Sequence, residues 1–132
     1  MRKLRMFWPV GVGLFTAVVA VALIAVAAAP GTVAPKKVSV ALVAGKPTEL
    51  HFTPSAKAVI KDARPLRVTF TITNRGTVGH NFKIAGKKTL LIAPGKSRPL
   101  VVTFTRTGRF QFICTVLGHA AGGMKGTLTV KR

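Results

Sequence analysis

Short segments in which apolar and polar residues alternate fill most of the chain after residue 30, and they constrain the fold more than any other feature. In the clearest example, Val68, Phe70 and Ile72 alternate with polar residues, which is the pattern of a β-strand with one buried face. Similar patterns predict strands over residues 37–43, 48–52, 66–73, 80–85, 89–93, 99–105, 109–115 and 126–131. No segment after residue 30 has a sustained helical period, although residues 54–63 are compatible with one or two helical turns.

Turn-forming residues separate the predicted strands. Glycine, proline and asparagine recur between them because these residues adopt the backbone angles that tight turns need. Examples are Asn74-Arg75-Gly76, Ala85-Gly86-Lys87, Ala93-Pro94-Gly95 and Thr107-Gly108. Seven or eight short strands in about 95 residues predict an all-β fold, a Greek-key β-sandwich.

The first 30 residues have a different character. Arg2, Lys3 and Arg5 precede an apolar run over residues 7–29. A positive flank before such a run predicts an N-terminal hydrophobic helix that is either a cleaved signal or a retained membrane anchor. The length of the run favours the anchor, because a spanning helix needs about 20 apolar residues. The small residues that precede Pro30 also fit a cleavage site, so both alternatives stay open.

These features divide the chain into three parts. We predict a signal or membrane anchor over residues 1–30, a linker over 31–37 and a β-domain over 38–132. Positive charge before the apolar run places the remainder of the chain outside the cytoplasm. The domain is therefore predicted to be anchored and facing outwards, or periplasmic or secreted if the first segment is removed.

The charge balance limits the classes of function. The chain has 21 lysines and arginines against 2 acidic residues, a formal charge of +19, which favours acidic partners. The basic residues form no dense tract and tyrosine is absent, so the composition argues against nucleic-acid binding. Glu49 and Asp62 are the whole supply of carboxylates, which argues against catalysis by a carboxylate pair.

The side chains that bind soft metals are concentrated in one stretch. Cys114 is the only cysteine, and Met124 is the only methionine outside the first segment. With His119 they form a C-x4-H-x4-M pattern at the end of a predicted strand and in the loop that follows. His80, directly after a glycine-bounded turn, is the candidate for a fourth ligand. His51 lies between two apolar residues of a predicted strand, and we expect it to face solvent or a neighbouring loop.

This donor set narrows the choice of metal. Two imidazoles and a thiolate with a weak axial thioether are the ligands of blue-copper electron-transfer sites. Zinc also accepts a cysteine and two histidines with an open fourth position, but no carboxylate is placed to act as its base. Taken singly, these residues also have structural interpretations: the cysteine as a small buried hydrophobic residue, the methionine as a residue that fills the core, and a histidine beside a glycine turn as an ordinary loop residue. An unpaired thiol in an exported protein is nevertheless unusual.

The segments GHNF (79–82) and FICTVLGHAAGGMKGTLTV (112–130) resemble the copper site of the cupredoxins, the small blue copper proteins. The four-residue gaps are similar to those of the longer-loop members, rusticyanin, auracyanin and the phytocyanins, more than to plastocyanin. The resemblance implies one copper ion that cycles between Cu(I) and Cu(II). It implies four ligands: His80, Cys114, His119 and Met124. It also implies that Asn81 and Thr115 tie the two ligand-bearing loops together.

The resemblance further implies an electron carrier rather than an enzyme. One cysteine argues against a binuclear copper centre, and a single domain without a second histidine cluster argues against multicopper oxidases. In the family, the second histidine ligand reaches the surface within an apolar patch. The corresponding residues here are Val116, Leu117, Gly118, Ala120 and Ala121.

The implied partner is an acidic redox protein, a cytochrome or a membrane oxidoreductase. Four lysines near the ligands in sequence are candidates for the rim of its docking surface or are simply solvated charges: Lys83, Lys87, Lys88 and Lys125. The alternative function is copper binding for trafficking, storage or sensing. A third interpretation, a basic structural domain without metal, predicts that Cys114→Ala leaves function and stability intact.

Overall fold

A computed structural model describes residues 31, 33–62 and 64–132. Its regular secondary structure within these residues consists of nine strands. They are β1 (Lys36–Ala44), β2 (Phe52–Thr53), β3 (Ala56–Ile60), β4 (Leu66–Asn74), β5 (Lys83–Ile84), β6 (Lys87–Lys88), β7 (Ser97–Phe104), β8 (Gly108–Ile113) and β9 (Lys125–Lys131). The predicted N-terminal helix lies outside the described residues. Within the described part of the chain, no helix has the length and apolar character needed to cross a membrane.

The strands form two mixed sheets. One has the order β2-β1-β4-β7 and the other β3-β9-β8-β5-β6. β1 runs parallel to β4, and β3 runs parallel to β9, whereas the other pairs are antiparallel. Five of the eight connections between consecutive strands cross from one sheet to the other, and only β1–β2, β5–β6 and β8–β9 stay within one sheet. The predicted all-β sandwich is confirmed.

The core lies between the sheets and follows the alternation of the sequence. On β4, the buried residues Leu66, Val68, Phe70 and Ile72 alternate with more exposed polar ones. Four phenylalanines from both layers meet at one end of this core, with ring centroids 5.2–5.7 Å apart: Phe52, Phe70, Phe82 and Phe112. Tilted and edge-on aromatic pairs at such distances add stability beyond the area they bury. This cluster fixes the segments that lead to the candidate ligands.

Two predictions before residue 64 are wrong. The strand expected over residues 48–52 is a turn, and only Phe52–Thr53 is extended. The backbone N–H of Gly45 donates to the carbonyl of His51 at 2.9 Å and closes a loop there. The short helix considered over 54–63 is instead β3, which pairs in parallel with β9. Pairing with an adjacent strand overrides local preference, as is common for short segments.

The strands expected over residues 80–85 and 89–93 are only partly present. The chain forms a tight hairpin in which Ala85 and Gly86 both have positive φ angles, 47° and 76°, the conformation of a type I′ turn. Its ladder is reduced to β5 and β6, and His80 pairs with Ile92 in an isolated bridge. The backbone of His80 is therefore held by this bridge and is not part of any of the nine strands.

The five longest strands begin and end within two residues of their predicted bounds.

Candidate metal centre

Three of the four predicted ligand residues lie together at one end of the sandwich. Nδ1 of His80 is 3.2 Å from Nδ1 of His119, and Sγ of Cys114 is 3.5 Å from the same atom of His119. The three donor atoms all lie within 4.8 Å of one another. His80 and Cys114 are fully buried, and His119 is half-buried. His51 is not in this cluster and is half-buried.

The loop after β8 is closed by its own backbone. The N–H of Cys114 donates to the carbonyl of Met124 at 3.0 Å, and the N–H of Met124 donates to the carbonyl of His119 at 2.9 Å. The N–H of His119 donates to the carbonyl of Val116 at 3.0 Å. These bonds bring the two ends of the C-x4-H-x4-M segment together, and Met124 is fully buried beside Cys114. The shape of the loop is therefore stabilised by its own backbone hydrogen bonds.

His80 reaches the cluster from a different loop. Its backbone exchanges two hydrogen bonds with Ile92, at 3.1 and 2.7 Å, and Phe82 two residues later is anchored in the aromatic cluster. The other ring nitrogen of His80, Nε2, lies 2.8 Å from Oε1 of Glu49. Sequence analysis missed Glu49 as part of the site. The available signal was its rarity, because it is one of two acidic residues in a very basic chain.

Two groups at the centre have displaced pKa values. Hydrogen bonds, above all from the backbone N–H of Thr77, lower the pKa of Glu49 to about 2. Burial, followed by the neighbouring His80, lowers the pKa of His119. Both displacements favour the forms that suit a cation site, a carboxylate and a neutral imidazole with a free lone pair.

Asn81 connects the His80 loop to the cysteine loop. Its Oδ1 accepts from the N–H of Thr115 at 2.7 Å, and its Nδ2 donates to Oγ1 of Thr115 at 2.9 Å. Its own backbone N–H points at Sγ of Cys114 at 3.5 Å. Asn81 is 8% exposed, so this side of the connection is buried. The connection thereby holds Asn81, and with it the adjacent His80, beside Cys114, which is 33 positions further along the chain than Asn81.

Removal of this connection should weaken the folded state measurably. We expect Asn81→Ala to lower the free energy of unfolding of the metal-free chain by about 1–2 kcal/mol, because the N–H of Thr115 loses its partner. The measurement is the urea midpoint at unchanged slope. Thr115→Val is the matched control, since it keeps the N–H to Oδ1 bond and removes only the hydroxyl. Equal losses in the two variants would contradict the assignment of the N–H bond as the stronger connection.

The spacing of the donors fits one shared ion. Nitrogen and sulfur ligands lie about 2.0 and 2.3 Å from a bound transition metal such as zinc. At ligand–metal–ligand angles between roughly 100° and 120°, such donors are about 3.1–3.5 Å (N to N) or 3.3–3.7 Å (S to N) apart. The observed 3.2 and 3.5 Å fall within these ranges. A thiolate and two imidazoles beside a buried thioether are the soft donors that copper accepts.

The predicted docking residues surround His119. Leu117 is 99% exposed, Gly118 and Ala121 are exposed, and Val116 and Ala120 are half-buried. Leu91 is a further exposed apolar residue, and its side chain lies against Gly79, beside His80. The surface over the donor cluster is therefore apolar and uncharged.

Comparison with known proteins decides the family. The sequence model of copper binding proteins of the plastocyanin/azurin family matches residues 37–131. The chain belongs to this family. The cupredoxin resemblance is thus confirmed, and copper is the cofactor, with the donor set of one type 1 copper ion in the described residues.

Among curated relatives, the chain is similar to the copper-resistant cuproprotein CopI of Pseudomonas aeruginosa. The two are 42% identical over 53 residues, which is 40% of this chain and 29% of CopI. The chain therefore spans less than a third of the length of this relative.

Several solved cupredoxins share the fold. Auracyanin A, a blue copper protein of Chloroflexus aurantiacus, superposes with a TM-score of 0.61 at 20% identity and covers 73% of this chain and 100% of its own. Auracyanin B gives 0.59 at 22% identity, with 75% and 91% covered. Reduced auracyanin of Roseiflexus castenholzii gives 0.57 at 21% identity, with 71% and 97% covered. At these identities the likeness concerns the fold.

Proposed function

We propose that this protein carries single electrons between redox partners outside the cytoplasm. The proposed ligands of its copper ion are His80, Cys114, His119 and Met124. The observation that carries the proposal is the convergence of two buried donors with one half-exposed imidazole, at 3.2 and 3.5 Å. Copper supplies a one-electron couple, Cu(II)/Cu(I), that the protein's own side chains lack.

A site held by backbone hydrogen bonds suits electron transfer. The loop bonds of Cys114, His119 and Met124 and the bridge of His80 to Ile92 hold the donors in place. Fixed donors accept a change of one charge with little movement, since the surrounding groups are already oriented. Four ligands leave no open position for a substrate. Under this proposal the protein is a carrier and not an enzyme.

His119 is the proposed port for the electron. Its half-buried ring connects the buried cluster to the exposed residues around it. We propose that Val116, Leu117, Gly118, Ala120 and Ala121 form the contact with the partner. An uncharged apolar surface allows close approach without the desolvation of charges.

The register of the second sheet supports a basic rim beside this port. Lys125 and Lys83 are both paired with Ile113, the residue before Cys114, and Lys88 is paired with Lys83. Directly paired residues project from the same face of a sheet, and all three lysines are exposed. They form a row across four strands next to the centre, whereas Lys87 lies one position away. We propose that this row steers an acidic redox partner.

Salt should affect two reactions of the protein in opposite directions. The chain carries a formal charge of +19, so electron exchange between two copies is slowed by repulsion and should accelerate as ionic strength rises. Reduction by an acidic partner protein should slow over the same range, because steering is screened. Stopped-flow rates and NMR line broadening measure the two reactions. A partner reaction that accelerates with salt would contradict the proposed acidic partner.

A second candidate is copper handling for resistance. It is favoured by the similarity to the copper-resistant cuproprotein CopI, which is 42% identical over 53 residues. In this case the protein would bind copper in order to store it or pass it on. The two functions differ in whether copper leaves the site after reduction.

The deciding experiment uses the full chain, purified in detergent and loaded with Cu(II). Protein-film voltammetry records the couple while a Cu(I) chelator is present in excess. An electron carrier shows a reversible one-electron wave that persists over many cycles. A trafficking protein loses its wave as Cu(I) passes to the chelator. A chain that shows no wave at all, with or without chelator, would contradict the electron-carrier proposal.

The extracytoplasmic location is also a proposal, based on the first 30 residues of the sequence. Expression of the full chain followed by fractionation and mass measurement tests it. Retention of residues 1–30 in a membrane fraction would indicate the anchor, and a shorter soluble chain outside the cytoplasm would indicate cleavage. A full-length cytoplasmic product would contradict both.

A further inference from the structure

Glu49 connects two loops at the back of the metal centre. Its Oε1 lies 2.8 Å from Nε2 of His80. Its Oε2 accepts from the backbone N–H of Thr77 at 2.9 Å and from the Thr77 hydroxyl at 3.0 Å. The N–H of Val78 is a weaker donor to Oε1 at 3.3 Å. One carboxylate therefore ties the turn after β1 to the loop that carries His80.

The carboxylate lies directly against the backbone of Gly76. A Cβ on Gly76 would overlap Oε1 of Glu49 and would come within 3.0 Å of Nε2 of His80. Any side chain at this position would push the carboxylate away from the ring. Glycine at residue 76 is thus a condition of the contact between Glu49 and His80.

The contact determines which ring nitrogen of His80 carries the proton. An ionised carboxylate only accepts hydrogen bonds, and at 2.8 Å it repels a nitrogen lone pair. The carboxylate also accepts from Thr77 and Val78, and such hydrogen bonds stabilise its ionised form. The proton of a neutral His80 therefore sits on Nε2. The lone pair is then on Nδ1, the atom that faces His119 at 3.2 Å.

The charge of Glu49 is isolated from other acidic groups. The only other acidic residue of the chain, Asp62, pairs with Arg64 through a 2.6 Å contact. Asp62 follows β3, whose last residue is paired with Lys131, while the metal centre is beside Lys125 at the other end of β9. Six residues of strand separate these ends by about 20 Å. Of the two acidic side chains, Glu49 is therefore the one close enough to influence the donor cluster electrostatically.

We propose that Glu49 is a positioning residue of the copper centre: it fixes the ring and the tautomer of His80, and its charge favours Cu(II) over Cu(I). The second part rests on the proposed function. A carboxylate that accepts from the far nitrogen of a ligating histidine orients the ring and makes the ligand more basic, and loss of such a partner typically lowers metal affinity by 10–100-fold.

The first test needs no copper. NMR of the ring nitrogens of the metal-free full chain, at about pH 9 where imidazoles are neutral, distinguishes the two tautomers of His80. We expect protonated Nε2 in the parent chain, and a mixture of tautomers in Glu49→Ala. A parent chain with the proton of His80 on Nδ1, or a Glu49→Ala spectrum identical to the parent's, would overturn the proposal.

The second test measures the charge. Glu49→Gln keeps the size of the side chain, so folding should be preserved. We expect it to weaken Cu(II) binding relative to Cu(I) by about tenfold, which raises the reduction potential by ~59 mV for a one-electron couple. Asp62→Asn is the matched control, since it removes one acidic charge far from the centre and should leave the potential unchanged. Equal shifts in both variants, or none in Glu49→Gln, would overturn the proposal.

The two tests separate this inference from the proposed function. If the parent chain is redox-inactive with copper, the electron-carrier function fails, and the tautomer of His80 in the metal-free chain alone decides the positioning role. If the copper couple is reversible but Glu49→Gln leaves it unchanged, the electron-carrier function stands and the role of Glu49 fails.

Discussion

A Cys114→Ala chain that receives one equivalent of Cu(II) is expected to lose the intense visible absorption of the parent entirely. That absorption arises from charge transfer between a thiolate and copper, and Cys114 is the only cysteine. The remaining imidazoles lie 3.2 Å apart and are expected still to bind Cu(II). Loss of the absorption in the variant therefore reports loss of the thiolate ligand and not loss of the bound copper. The measurement is a copper titration followed by absorption, with copper content checked on the same sample.

The same variant should fold. Cys114 is fully buried, but alanine removes only one sulfur atom, and a loss of about 1 kcal/mol in the free energy of unfolding is expected. His51→Ala is the matched control, because this histidine lies outside the donor cluster and its loss should preserve the band. A band that persists in Cys114→Ala would contradict the proposed ligand set. A colourless parent chain would contradict it as well.

The sandwich was predictable because its signal is local and repeated. Alternation of apolar and polar residues recurs in the long strands, and the clearest of them, β4, shows the same alternation in its burial. The short segments carried weaker signals. Whether residues 48–52 and 89–93 extend depends on loop closure and on pairing with distant strands, and β3 is paired with β9 near the other end of the domain sequence. Such pairings are not encoded in a window of a few residues.

The donor cluster was predictable because its residues are rare and their spacing is fixed. Cysteine occurs once and histidine three times, so only a few sets of residues could form a ligand cluster of one cysteine and two histidines. The role of Glu49 was not predictable in this way. Its contact with His80 depends on a glycine at residue 76 that leaves room for the carboxylate. A single sequence does not show which distant side chain fills such a space.

The same structure predicts a large loss of stability when the aromatic cluster is opened. Phe82 is fully buried and contacts the rings of Phe52, Phe70 and Phe112. Phe82→Ala should lower the free energy of unfolding by about 3–5 kcal/mol, because it removes apolar burial and leaves a cavity. Domains of this size have only about 5–15 kcal/mol in total. Thermal unfolding should therefore begin at least ~12 °C lower.

Phe82→Ala should also weaken copper binding, whereas a comparable loss elsewhere should not. Phe82 follows His80 by two residues, and its partner Phe112 precedes Cys114 by two, so both loops lose an anchor. Phe104 is the matched control: it is 3% exposed and packs on Phe110, at the end of β7 that is paired with Leu66, away from the centre. Phe104→Ala should lower stability similarly and leave copper affinity at the parent value. Equal losses of affinity in the two variants, measured by competition with a chelator at a temperature where both are folded, would mean that global stability and not the aromatic anchor holds the ligands in place.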